Sequence, residues 1–148
     1  MSSNKNEGLV EYSEANGIKK GGYCLIKDKP CKVVELHWSK PGKHGAGKIR
    51  MVGIDMFTGK KYESAGPSTH QVEVPIVNRQ EVQLLDITPE GYACVLDGDD
   101  TRELKLPAYP EELADKIKEA FEDGKDVDLS VVSSMGIEQV TDFKIQKQ

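Results

Sequence analysis

Between Gly21 and Arg79 no window of about eleven residues spaces its apolar side chains for a helix. Short apolar runs are broken instead by glycine, proline and aspartate. Residues 23–26 form one run after Gly21-Gly22, Asp28-Lys29-Pro30 reads as a turn, and residues 31–37 form a second run. Residues 48–56 alternate at Ile49 and Met51, then shift phase to Val52, Ile54 and Met56. The shift beside Gly53 predicts a bulge or sharp bend. Thr58-Gly59 turns the chain into a strand starting at Lys60, and residues 70–74 alternate again before Pro75. Such a chain is confined to small barrels and sandwiches.

The second half adds one helix to the same vocabulary. Residues 82–87, 92–96 and 102–106 read as strands, separated by Thr88-Pro89-Glu90-Gly91 and Asp97-Gly98-Asp99-Asp100. Pro110-Glu111-Glu112 then opens a helix, because proline fits the first turn and acids suit its positive end. Leu113, Ile117, Ala120 and Phe121 fall on one stripe, and Gly124 supplies the stop. Two strands follow, at about 127–134 and 138–145. The order β-β-β-α-β-β fits a five-stranded OB barrel. The fold expected is therefore mainly β, as two small barrels. The expected divisions are a flexible N-terminal tail over 1–17, a first barrel over 18–80 and an OB domain with the helix over 81–148.

The net charge of −5 conceals a split. Residues 1–80 hold 13 basic and 8 acidic residues, whereas residues 81–148 hold 7 and 17. Between Leu36 and Ile54 stand Lys40, Lys43, Lys48 and Arg50, with no acid. A cationic stretch of this kind attracts polyanions through counterion release. No apolar run reaches the ~18 residues a membrane span needs, and residues 1–17 lack the apolar core of a secretory signal. Three cysteines, Cys24, Cys31 and Cys94, without a C-x-x-C pair, read as reduced thiols of a cytoplasmic protein.

The richest segment is Ser39-Lys40-Pro41-Gly42-Lys43-His44-Gly45-Ala46-Gly47-Lys48. Pro41-Gly42 and the further glycines predict an exposed loop with Lys43 near its tip. The run from Gly42 to Lys48 matches G-x-x-x-x-G-K, but Ile49 stands where a phosphate-binding loop needs Ser or Thr, and a strand pattern follows. His37, His44 and His70 lack paired spacing for zinc. No residues assemble a nucleophile, base and oxyanion site, so neither a catalytic residue nor a metal ligand is expected.

Ser39-Lys40-Pro41-Gly42-Lys43-His44-Gly45, then Val52-Gly53-Ile54-Asp55-Met56-Phe57-Thr58-Gly59-Lys60-Lys61-Tyr62-Glu63 and Pro67-Ser68-Thr69-His70, resemble the hypusine-containing translation factor 5A family. The similarity runs from about Gly21 to the C-terminus. It implies an SH3-like barrel followed by an OB domain, in a non-enzymatic factor. It also implies that Lys43 is the lysine converted to hypusine, within a modification loop of Ser39, Lys40, Pro41, Gly42, His44 and Gly45. Deoxyhypusine synthase would transfer an aminobutyl group from spermidine, using NAD of its own, and deoxyhypusine hydroxylase would complete it; the factor itself needs no cofactor. The implied partners are the ribosome, peptidyl-tRNA and rRNA. The implied role is promoting peptide bond formation at stalling sequences such as proline runs, and at termination. Lys40, His44, Lys48 and Arg50 are the expected RNA contacts. His37-Trp38 stands where the family usually has a smaller, hydroxyl-rich pair. The alternative left by the residues alone is a general single-stranded RNA-binding or chaperone OB module.

Overall fold

The computed structural model describes residues 6–40 and 47–146. The chain divides into two compact units, Met1–Ile76 and Val77–Gln148. In the first, strand β1 (Val10–Glu14) leads through a 3₁₀ turn at Ala15–Gly17 to β2 (Tyr23–Ile26), β3 (Lys29–Ser39), β4 (Lys48–Asp55), β5 (Lys61–Pro67) and β6 (Gln71–Pro75). Strands β2 to β5 form an antiparallel meander, and β1 pairs with β6. Lys27 and Asp28 both take positive φ, which lets two residues close the β2–β3 hairpin with the right twist. The predicted turn was one step late, since Lys29 and Pro30 already belong to β3.

Ala15, Ile18, Cys24, Ile26, Cys31, Val33, Ile49 and Met51 fill the core, with Leu36, Tyr62, Val72 and Val74 against them. The curled meander closed by β6 lying along β2 is an SH3-like barrel. The irregularity expected at Gly53 is present, but it sits on the partner strand. Val33 pairs with Gly53 and Glu35 with Val52, so Val34 is the extra residue.

The expectation of a tail over 1–17 is corrected within the described residues. Val10 to Glu14 pair in register with Pro75 to Gln71, and Ala15 N–H donates to His70 C=O at 2.8 Å. Asn6 Nδ2 donates to Glu73 Oε2 at 2.8 Å. The strand was invisible locally because Glu11, Tyr12 and Glu14 point to solvent while only Val10 is buried. Its ordering comes from a partner about sixty residues away.

The second unit holds β7 (Asn78–Ile87), β8 (Tyr92–Asp97), β9 (Asp100–Lys105), α1 (Leu113–Glu122), β10 (Val127–Ser134) and β11 (Ile137–Ile145). The strand order is β11-β10-β7-β8-β9, with α1 between β9 and β10 in sequence and packed against β10 and β11. This is an OB fold. Leu113, Ile117 and Ala120 of α1 are buried among Val82, Leu84, Val95, Leu129, Val131 and Val140. Gly124, at φ 76°, ends the helix: its N–H meets Phe121 C=O and Lys125 N–H meets Ala120 C=O. The expected domain boundary between 80 and 81 falls inside β7, whose first residues, Asn78 to Gln80, pair with Ser133 to Val131 of β10.

Candidate functional site

The basic stretch lies on the β3–β4 hairpin, the longest in the first unit. Its last described rung is Ser39 opposite Lys48, preceded by Trp38 opposite Ile49 and His37 opposite Arg50. Strand β5 extends these rungs to Pro67, Gly66 and Ala65. Residues directly opposite one another share a face, and successive residues alternate. Leu36, Met51 and Ser64 therefore make one row, and Trp38, Ile49 and Gly66 the next row of the same face. The opposite face carries His37, Arg50 and Ala65, then Ser39, Lys48 and Pro67.

The basic side chains divide into two kinds. Arg50 Nη1 lies 3.2 Å from Glu63 Oε1, and His37 Nε2 lies 3.3 Å from Glu35 Oε2. The hydrogen bond from His37, ahead of all other influences, holds the Glu35 carboxyl below the usual carboxylate range. Lys48 and Lys40 are exposed and pair with no carboxylate among the described residues. Their charge is available to a ligand, whereas that of Arg50 is partly spent on Glu63.

The returning limb is braced from below. Ser68 N–H donates to Gly47 C=O at 2.8 Å, and Asn16 N–H donates to Ser68 C=O at 2.9 Å. Ser68 is buried there. This ties the exit of the loop to the 3₁₀ turn after β1. At the far end of β4, Asp55 Oδ1 accepts from Phe57 N–H at 2.9 Å and Thr58 N–H at 3.3 Å, and Gly59 takes φ 79°. The Asp55-to-Gly59 motif is thus a turn that fixes where β4 ends, rather than a ligand site.

Of the sequence-predicted site residues, Ser39, Lys40, Lys48 and Arg50 stand together at this end of the hairpin. Pro41, Gly42, Lys43, His44 and Gly45 lie outside the described residues. The stretch after Gly47-Lys48 is strand β4, so no helix N-terminus faces a phosphate there, and a nucleotide-cradling loop is excluded. No three His, Cys, Asp or Glu residues gather as a metal site among the described residues. No described helix is long and apolar enough to cross a membrane. The sequence reading left Trp38 without a role. It is 56% exposed, more than any other large apolar residue described. Its signal was available: an aromatic ring at the polar end of a strand, one residue from a serine and two from a lysine.

The two units match two family models. Residues 11–70 match the "Translation initiation factor 5A-like, N-terminal" family. Residues 76–144 match "Eukaryotic elongation factor 5A hypusine, DNA-binding OB fold". The chain is 48% identical over 145 residues to eukaryotic translation initiation factor 5A-1 of Arabidopsis thaliana, covering 97% of this chain and 91% of that protein. It is 44% identical over 133 residues to the 5A-1 protein of Saccharomyces cerevisiae, covering 88% and 83%. Among solved structures, a translation initiation factor 5A family protein from Naegleria fowleri superposes with a TM-score of 0.83 at 46% identity, covering 93% of this chain and 99% of that one. A eukaryotic translation initiation factor 5A from Methanococcus jannaschii gives 0.69 at 30%, covering 95% of each. With both units matched in order and relatives covered over most of their length, the chain belongs to the translation initiation factor 5A family.

Proposed function

We propose that this translation factor works on the ribosome through Lys43, carried as hypusine at the tip of the β3–β4 hairpin. It promotes peptide bond formation at stalling sequences such as proline runs, and at termination. The observation that carries the reading is the pair of exposed lysines without described carboxylate partners, Lys40 and Lys48, flanking the intact Gly42-Lys43-His44-Gly45. Phosphate contacts from such residues position a protein on RNA without reading its sequence. Lysine suits the role because a flexible four-carbon stem carries a compact charge. An added aminobutyl unit lengthens the stem and supplies a second cationic amine. That arm, lying along the end of peptidyl-tRNA, restricts the motion of the reacting ester. Holding reactants in near-attack geometry accelerates a step without supplying any chemistry. The proposed partners are the ribosome with its rRNA, peptidyl-tRNA, deoxyhypusine synthase and deoxyhypusine hydroxylase, in the cytoplasm. The proposed contacts beside Lys40 and Lys48 are His44 and Arg50, and the acidic OB unit meets ribosomal components.

The test is chemical. Spermidine, NAD and deoxyhypusine synthase are added to the full chain, and the peptide holding Lys43 is weighed. The expected result is the addition of one aminobutyl unit at Lys43 alone. An unchanged mass, with a control substrate modified in parallel, refutes the reading. Salt-sensitive RNA binding by a chain that the synthase leaves unmodified would favour a general RNA-binding module instead.

A further inference from the structure

We propose that Trp38 is a stacking platform for one unpaired nucleobase of the RNA strand engaged by Lys40 and Lys48. The proposal rests on the reading that this hairpin meets RNA, and adds to it a site outside the modified lysine. Three observations carry it.

The first is exposure without an apolar neighbourhood. Trp38 is 56% exposed, while Ile49 and Met51 on the same face are each 2% exposed. The ring is therefore an isolated flat apolar surface. A protein partner would be expected to find a contiguous apolar patch, which this row does not offer.

The second is room. Gly66 completes the row of Trp38 and Ile49, and a Cβ placed on it would meet nothing within 4 Å. Ile49 stands between the ring and Gly66, so beyond that one side chain strand β5 adds nothing to this row that would obstruct a planar group lying over it.

The third is charge. Lys48 is paired with Ser39, next to Trp38 in sequence, and Lys40 follows Ser39; both are exposed. Lys40 lies two residues on from Trp38, while Lys48, on the opposite face of the sheet, adds charge at the same end of the hairpin. An exposed ring among cations without described carboxylate partners matches a single-stranded nucleic acid: a base on the π-face, phosphates on the amines. Every base has a π-face, so the site is expected to tolerate sequence while requiring that the base be unpaired.

Trp38 is the one tryptophan of the chain, so its fluorescence reads the site directly. The full chain is titrated with an oligoadenylate of about ten nucleotides, and in parallel with an abasic strand of equal length and charge. Quenching that saturates with oligoadenylate and is small with the abasic strand is expected. Affinity is then measured from the anisotropy of a labelled oligoadenylate. Trp38→Ala should weaken binding about 5- to 150-fold, the range of one stacked base. Trp38→Phe should retain most of it, and neither change should alter the salt slope set by phosphate contacts. Lys48→Ala, in contrast, should reduce that slope. The proposal is overturned by equal affinity for the abasic strand, by parental affinity in Trp38→Ala, or by no oligoadenylate binding at all. These outcomes are separable from the fate of the proposed function, because a chain never modified at Lys43 still reports stacking at Trp38.

Discussion

Arg102 of β9 grips Glu138 of β11, joining the two strands that end the sheet order of the OB unit. Arg102 Nη2 lies 3.0 Å from Glu138 Oε2, with the second nitrogen–oxygen pair beside it, and Arg102 Nε lies 2.9 Å from Asp97 Oδ2. Glu138 first, then Asp97, raise the pKa of the guanidinium further above its ordinary value. Strands β9 and β11 share no backbone ladder, so this contact spans the seam of the barrel. The side chains are about one-third exposed, which keeps the contribution near that of a well-formed surface pair, while two-point geometry raises it above the median. Arg102→Ala should cost about 1–2 kcal/mol. For a unit of this size each kcal/mol lowers the melting temperature by about 4–8 °C. Thermal unfolding followed for the OB unit checks this, with Glu138→Gln completing a double-mutant cycle. A coupling near zero at low salt would show that the seam does not depend on the pair.

Gly53 is required for a steric reason in the other barrel. A Cβ at this position would stand 2.7 Å from Cys31 Cβ and 2.8 Å from Ile26 Cδ1, closer than side chains tolerate. Gly53→Ala should destabilise the first unit by about 1–3 kcal/mol, the cost of overpacking. Ile26→Val removes Cδ1, one of the two clashing atoms, and leaves Cys31 Cβ in place, so the double variant should lose somewhat less than the sum of the singles. Denaturant midpoints of the four proteins decide it; strict additivity would mean that the backbone moves away instead.

Cys24 and Cys31 face each other across β2 and β3, 1% and 0% exposed. Burial pushes each thiol up to about 11, assisted by Glu73 at Cys24 and by Asp55 at Cys31. Both are therefore protonated and unreactive in the folded chain at neutral pH. Their folded pKa lies above the ordinary 9.0, so their contribution is fully present below pH 9 and is lost as pH rises toward 11. In a thiol-titration at neutral pH, Cys94, half-exposed, should react first, and the other two only with unfolding. Three equal rates would contradict the assignment.

The strand rhythm, the helix after Pro110 and the stop at Gly124 were legible because each depends on neighbours within one or two turns of chain. The strands expected at 127–134 and 92–96 were visible for the same reason: their apolar residues recur at the spacing that one buried face imposes, and the second runs one residue further, to Asp97. β1 was not legible, since only Val10 of its five residues is buried and its partner is β6. The bulge was assigned beside Gly53 because phase is broken there, yet the extra residue, Val34, is on the strand opposite. Local pattern locates an irregularity but cannot say which partner carries it. At the candidate site the cations were legible as charges. Their division into Arg50, held by Glu63, and Lys48, unpaired among the described residues, needed the register of three strands.

Lys43→Arg separates charge from modification at the proposed site. Arginine keeps a positive charge on a similar stem, but its delocalised guanidinium offers no amine of lysine type for aminobutyl transfer. A loop substitution that leaves the two cores untouched should change stability by no more than about 0.5 kcal/mol. The variant should therefore melt like the parent and bind RNA with a similar salt slope. In a translation mixture depleted of its own factor, it should fail to speed a reporter containing a proline run, while the modified parent succeeds. The unmodified parent, from a host lacking the synthase, should behave like the variant. If Lys43→Arg supports the reporter as well as the modified parent does, the extended arm is not the working part, and positive charge at position 43 suffices.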